Sequence, residues 1–233
     1  GSQAMIIDFF TRENATSSFI QDVLSSVNYE VNLHTSESPE NALRNISSLA
    51  SIVLWDLDSF TASNEKCLRA IRSISRDSMI FAYGEDLTVY ASALNELTDV
   101  CMNVASLRVH LMSKLSDLRR VITARKTFRE RMSHLVGSSP SMETLRKNIL
   151  QAMIHTSPVL IQGETGVGKE LIARAVACMY DQFITVNCSA IPDNLFESEL
   201  FGHVRGSFTG AQTDRMGLFE AADGGAIFLD EIG

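Results

Sequence analysis

Seven residues, Gly163-Glu164-Thr165-Gly166-Val167-Gly168-Lys169, have the spacing of a loop that cradles phosphate. Glycines let backbone N–H groups approach the anion, the lysine adds a point charge, and a following helix turns its N-terminus toward it. The flanks agree: the apolar run Pro158-Val159-Leu160-Ile161 predicts a strand before the loop, and Leu171–Ala177 carries a helical pattern after it. One position departs from the general pattern, because Glu170 stands where a magnesium-binding Ser or Thr follows the lysine. Downstream, Ala226-Ile227-Phe228-Leu229 predicts a buried strand that delivers Asp230 and Glu231 to the carboxyl edge of a sheet, where such folds bind ligands. Asp230 suits a Mg2+ on nucleotide β- and γ-phosphates, and Glu231 suits polarisation of an attacking water. A strand ending in surface acids is the plainer alternative, and the phosphate loop upstream weighs against it.

Gly206-Ser207-Phe208-Thr209-Gly210-Ala211 has a different logic. Small residues on both sides of Phe208 predict a mobile loop that presents one large ring, which is costly unless the ring binds something. A buried loop aromatic is the alternative.

Together these segments carry a family resemblance. Gly-Glu-Thr-Gly-Val-Gly-Lys-Glu resembles the ATP loop of the bacterial enhancer-binding proteins, the AAA+ activators of sigma-54 RNA polymerase, which carry Glu after the lysine. Gly206–Ala211 resembles their signature loop, with Ser207 in place of an alanine. Phe183–Cys188 and Glu197–His203 lie between the two in the family's order, and Gly224–Gly233 is similar to the family's Walker B segment. The resemblance covers residues 134–233 and implies the first part of an AAA+ P-loop NTPase α/β domain. It implies ATP and Mg2+ as cofactors, with ATP held by Gly163, Glu164, Thr165, Gly166, Val167, Gly168, Lys169, Glu170 and Asp230, and Mg2+ by Asp230. Glu231 would be catalytic, with Asn187 holding it aside until the sigma contact is made; Asn187 could instead cap its own strand. Phe208 and Thr209 would contact sigma-54. The resemblance also implies a homo-oligomer (a dimer, and a hexamer when active) and DNA enhancer binding through a C-terminal domain absent from this chain. Because the chain stops at Gly233, before the family's later sensor residues, arginine fingers and lid, we expect a piece of a longer protein, with weak ATPase activity at best. A strand from that later part lies between the Walker A and Walker B strands in the family's sheet.

The first hundred residues alternate as an α/β domain. Met5–Phe10, Ser51–Trp55 and Met79–Ala82 read as buried strands, and Phe19, Ile20, Val23 and Leu24 share a helix face, which predicts a doubly wound parallel sheet. This segment resembles a two-component receiver, a flavodoxin-like fold: Asn28-Tyr29-Glu30-Val31 matches the turn into the second strand, and Asp56 falls on the phosphoacceptor position. Gapless alignment puts Thr11 and Arg12 where receivers have two magnesium-binding acids, Ala82 or Tyr83 where they have Thr or Ser, and Asn103-Val104 where they have Lys-Pro. Phosphoryl transfer to an aspartate needs a divalent cation, so these losses predict a pseudo-receiver that is not phosphorylated, with Asp56 pairing Arg12 in place of the metal. A working, phosphorylatable receiver is the alternative, as is a nucleotide-binding, dimerising fragment without catalysis.

The boundaries follow from composition. Gly1–Ala4 before Met5 reads as a cloning remnant, residues 5–105 as the receiver-like domain, 106–133 as a helical linker and 134–233 as the ATPase part. Residues 1–106 carry 6 basic against 14 acidic side chains, residues 107–131 carry 8 against 2, and residues 132–233 carry 6 against 12. The acidic flanks argue against nucleic-acid binding by either globular part. Leu107, Leu111, Leu115, Leu118 and Ile122 step like a short coiled-coil seam, or like an amphipathic helix lying on its own domain. Four cysteines without metal-type spacing read as free thiols. No membrane-length apolar run or signal peptide is present, so we expect a cytoplasmic protein without membrane contact.

Overall fold

In the computed structural model, residues 4–35, 38–44, 46–90, 93–133, 135, 137, 139–206 and 213–232 are described. They form two compact units, residues 1–122 and 123–233.

The first unit is built from β1 (Met5–Phe10), α1 (Ala15–Ser25), β2 (Tyr29–His34), α2 (Pro39–Arg44), β3 (Ile52–Asp56), α3 (Asn64–Ile74), β4 (Met79–Gly84), α4 (Ala93–Leu97), β5 (Val100–Asn103) and the long helix α5 (Val104–Arg131). All pairs are parallel, in the order β2-β1-β3-β4-β5, which is the flavodoxin-like winding. A parallel sheet covered on both faces needs strands that are apolar throughout. β3 and β4 meet that demand, being buried at every residue. One core packs Ile20 and Leu24 of α1 and the first part of α5 on the sheet, and the other packs α2, α3 and α4 on the opposite face. Trp55 in the second core is fixed by its indole N–H, which donates to Asn64 Oδ1 at 2.8 Å.

The leucine stripe goes to that first core. Leu107, Leu111, Leu115 and Leu118 are at most 4% exposed against Ile7, Phe9 and Tyr83. An amphipathic helix on its own domain is therefore what forms, and these leucines are not a free dimer seam. Asn103 Oδ1 accepts the N–H of Ser106 at 2.8 Å and so caps α5.

Asp8 sits inside this unit at 4% exposure. Burial alone would push its carboxyl up, but hydrogen bonds from His34 Nε2 (2.8 Å) and the Ala50 N–H (2.6 Å) outweigh burial and hold it below the usual range. A depressed carboxyl contributes stability above its unfolded pKa and loses it as pH falls through the folded value. Asp8→Asn is expected to cost about 1.5–3 kcal/mol at pH 6, the range for hydrogen bonds to a charged group. The gap to wild type should close below about pH 4. Thermal melts from pH 2.5 to 6 measure it, and a pH-independent gap would refute the assignment.

The second unit contains α6 (Pro140–Ile154), α7 (Lys169–Val176), β6 (Phe183–Asn187), α8 (Asp193–Phe201), β7 (Gly202–His203), β8 (Arg215–Met216), α9 (Leu218–Ala221) and β9 (Ala226–Asp230). Ser139 caps α6 with Pro140 at its first turn. Ala124 and Phe128 pack with Ile149, Met153 and Ala175, and Arg131 Nη1 donates to the Cys178 carbonyl at 2.6 Å. β6 and β9 pair in parallel. The predicted strand Pro158–Ile161 differs: it takes no strand structure, and Leu160 is 75% exposed. A strand exists only through a paired neighbour, and no described segment pairs with these residues; they line a cavity beside β9 instead. No helix among the described residues is long and apolar enough to cross a membrane.

Candidate nucleotide site and the Asp56 cluster

The register of β6 and β9 places Asn187 opposite Asp230, with Glu231 next along the chain. Asp230 and Glu231 border a cavity of about 920 Å³ whose lining also includes Gly163, Thr165, Lys169 and Phe183, but not Asn187. Gly163, Thr165 and Lys169 of the loop and the acidic pair thus face one space. Gly166 and Gly168 have φ of +80° and +94°, and Gly168 is the N-cap of α7. A side chain is strained in that left-handed region, which is why glycine stands at both positions.

Lys169 Nζ turns back on the loop and donates to the carbonyls of Gly163 (3.0 Å) and Glu164 (3.1 Å). Its charge is held by neutral acceptors that an incoming phosphate can outcompete. Glu231 is the one described non-glycine residue with positive φ, at +57°. That conformation costs an ordinary residue about 1–2 kcal/mol, and such strain gathers at functional positions. Its N–H donates to Asp230 Oδ1 at 3.0 Å. Asn187 Oδ1 accepts both the N–H and the hydroxyl of Ser189, at 3.1 and 2.7 Å, so it caps the 3-10 turn Cys188–Ala190 that follows its strand. Beside it, burial and then the negative charge of Asp230 push the Cys188 thiol up.

Glu170 lies off the cavity wall. Its Oε1 accepts Nε and Nη2 of Arg174 at 3.1 and 2.7 Å, and the Arg174 guanidinium lies 4.8 Å from the Phe183 ring centroid. The i,i+4 spacing of this pair is visible in the sequence, but its consequence for Glu170 is not. Among the described residues no group of three or more His, Cys, Asp or Glu gathers to hold a metal.

Phe208 and Thr209 lie outside the described residues. Their flanks are held to α8: β7 and β8 pair antiparallel, and Arg215 grips both carboxylate oxygens of Glu199 at 2.6 and 2.8 Å. Ser198 Oγ lies 2.6 Å from His203 Nδ1. A Cβ at Gly202, where φ is +75°, would stand 2.3 Å from the Arg215 carbonyl oxygen, so only glycine allows this approach.

In the first unit, Asp56 ends β3 at 2% exposure beside Thr11. Oδ2 accepts Thr11 Oγ1 (2.8 Å), Ser59 Oγ (2.8 Å) and Asn14 Nδ2 (3.1 Å), while Oδ1 accepts the N–H groups of Asp58 (3.1 Å) and Ser59 (3.3 Å). Neutral donors thus surround the carboxylate where Arg12 is the expected partner. Arg12 donates its own N–H to Ser59 Oγ at 2.9 Å, and its guanidinium lies 5.9 Å from the Phe60 ring centroid. The Tyr83 hydroxyl approaches Thr11 and Asp56 without reaching hydrogen-bond geometry among the described residues, and burial, then the Asp56 charge, push it up. Asn14 and Ser59 are missed by sequence reasoning, because small polar loop residues look alike until folded.

The chain spans about a quarter of the length of the curated relatives it matches. It is 43% identical over 130 residues to the transcriptional regulator VasH of Vibrio cholerae, covering 54% of this chain and 24% of that protein. It is 45% identical over 129 residues to the regulatory protein AtoC of Escherichia coli K12, covering 54% and 28%. With a Nif-specific regulatory protein of Klebsiella pneumoniae it shares 50% identity over 106 residues, 44% of this chain and 20% of that one. A solved structure of NtrX from Brucella abortus in complex with ADP aligns with 98% of this chain and 53% of its own, at 23% identity and a TM-score of 0.47, a loose likeness. The family described as the sigma-54 interaction domain matches residues 135–233, the span that holds the phosphate loop, Asn187 and the acidic pair. Residues 135–233 are thus similar to the sigma-54 interaction domain family.

Proposed function

We propose that this chain is the regulatory and nucleotide-binding part of a sigma-54-dependent transcriptional activator, an AAA+ ATPase that couples ATP binding and hydrolysis to remodelling of sigma-54 RNA polymerase. The observation that carries this reading is the convergence of Lys169, Asp230 and Glu231 on one cavity. In it, the backbone N–H groups of the Gly163–Lys169 loop and the start of α7 bind the phosphates, and Lys169 leaves its loop carbonyls for the terminal ones. Asp230 would hold a Mg2+ bound with the nucleotide, which would supply charge neutralisation for phosphoryl transfer, and Glu231 positions and polarises the attacking water. Asn187 keeps Glu231 from the water until sigma-54 is engaged by Phe208 and Thr209. The protein acts as a homo-oligomer, and the first unit is a pseudo-receiver that regulates through domain contacts or a partner instead of phosphorylation.

The test of the polymerase contact is Phe208→Ala and Thr209→Ala in a version extended to the length of its relatives. ATP hydrolysis should remain within about twofold of wild type, since neither residue belongs to the phosphate-loop or acidic-pair segments of the sequence, whereas sigma-54-dependent open-complex formation should disappear. Hot-spot aromatics carry binding of about 2–4 kcal/mol, enough for a 30-fold loss or more. Full transcription activation by Phe208→Ala would sink the assignment.

A further inference from the structure

The position after Lys169 carries a carboxylate, and the nucleotide reading makes that a problem: a second negative charge stands one residue from the group that meets the terminal phosphates. Like charges at such range repel, and the half-exposed positions of Glu170 and Arg174 leave that repulsion screened but not abolished. The structure contains an answer. Glu170 opens α7 but does not face the cavity. One turn later, Arg174 directs both Nε and Nη2 at the same Glu170 oxygen. The guanidinium is fixed in turn by the Phe183 ring at 4.8 Å, and Phe183 stacks on Phe228 of the neighbouring strand at 6.4 Å and 15°. Arg174 is thus held between the phosphate helix and the two strands that carry Asn187 and Asp230.

We propose that Arg174 is a positioning residue for nucleotide binding: it neutralises Glu170 and holds it off the phosphate site, so that the terminal phosphates meet Lys169 without an opposing carboxylate. The inference rests on the phosphate-loop reading. It also bears on the cation, because a Glu170 kept on Arg174 leaves Asp230 as the protein's carboxylate toward it. Arginine suits the task better than lysine, since its planar head can bond a carboxylate and lie on a ring at once.

The experiment is binding of a fluorescent ADP, with EDTA present so that no divalent cation intervenes, to the wild-type chain, Arg174→Ala, Arg174→Ala/Glu170→Gln and Lys169→Ala. Arg174→Ala should bind about three- to tenfold more weakly, and the defect should shrink as salt is raised. Glu170→Gln added to Arg174→Ala should restore binding to within about twofold, because the charge that Arg174 balanced is gone. Far-UV circular dichroism of each variant reads folding separately. If the double variant stays as weak as the single one, Arg174 supports only the packing on Phe183 and the proposal is overturned. Wild-type affinity in Arg174→Ala overturns it equally. Should Lys169→Ala bind as tightly as wild type, the phosphate-loop reading itself fails and the inference falls with it, an outcome distinct from the other two.

Discussion

Lys169→Ala is expected to weaken nucleotide binding by about 100-fold or more, since removing one partner of a desolvated charge pair costs about 3–5 kcal/mol. The alanine leaves the glycine loop and α7 in place, because Lys169 Nζ bonds only loop carbonyls among the described residues and no core side chain depends on it. Stability should therefore change little, and the loss is read directly by titration with a fluorescent ATP analogue. Glu231→Gln separates the next step. The amide keeps the size of the side chain but polarises water poorly, so binding should stay near wild type while hydrolysis falls about 100-fold or more, the usual worth of a positioned general base. Hydrolysis is measured in a version extended to the length of its relatives. The strained φ of +57° at Glu231 adds a control. Glu231→Gly should remove the strain and also abolish turnover, so any gain in stability arrives with loss of function. Wild-type turnover in Glu231→Gln would overturn the assignment.

The outcome at Lys169 and Glu231 depends on how well local sequence announces tertiary structure, and the chain offers both extremes. Ile52–Trp55 and Met79–Ala82 are legible as buried strands because a doubly covered parallel sheet leaves no room for alternation. The phosphate loop is legible because its glycines answer a backbone requirement that few other structures impose. Pro158–Ile161 shows the limit. Its composition is that of a strand, yet pairing belongs to two segments, and no described neighbour pairs with it. The Leu107–Leu118 stripe shows another, since spacing by three and four fits a dimer seam and a core-facing helix equally, and only burial against Ile7 and Phe9 decides. Charge partners are the least legible of all. Glu170 reads as a phosphate-site residue until Arg174 is seen to hold it, and Arg12 reads as the partner of Asp56 until Thr11, Asn14 and Ser59 are seen around the carboxylate. At Asp56 the competing donors sit on loops whose direction the sequence does not specify, whereas at Glu170 the i,i+4 spacing is visible and only its consequence is not.

Asp56 carries the second large expectation, because its hydrogen bonds make stability and phosphorylation answers to one arrangement. Five donors converge on two oxygens at 2% exposure. Asp56→Asn replaces one acceptor by an NH2 group. Turned one way it faces the Asp58 and Ser59 N–H groups, which cannot accept; turned the other it faces the Asn14 amide and two hydroxyls that must rotate. The first leaves the two N–H groups without an acceptor, which costs about 1–3 kcal/mol, more than an exposed ion pair with Arg12 would be worth; in the second, Thr11 Oγ1 and Asn14 Nδ2 keep the Arg12 carbonyl as acceptor. Asp56→Ala leaves the same donors facing a void and should cost at least as much. For phosphorylation the same bonds work against reaction. The attacking oxygen must free a lone pair from these donors, and Thr11 stands alongside it where a metal-binding acid would be needed to neutralise the phosphoryl group. Asn103 cannot replace the missing lysine, since it is neutral and its oxygen caps α5. A small-molecule phosphodonor with Mg2+ should therefore leave the chain at its unmodified mass, while denaturant melts of Asp56→Asn show the loss of stability. A stoichiometric phosphate adduct that vanishes in Asp56→Asn would mean that the hydroxyl ring opens to admit a cation, and that the first unit is a working receiver.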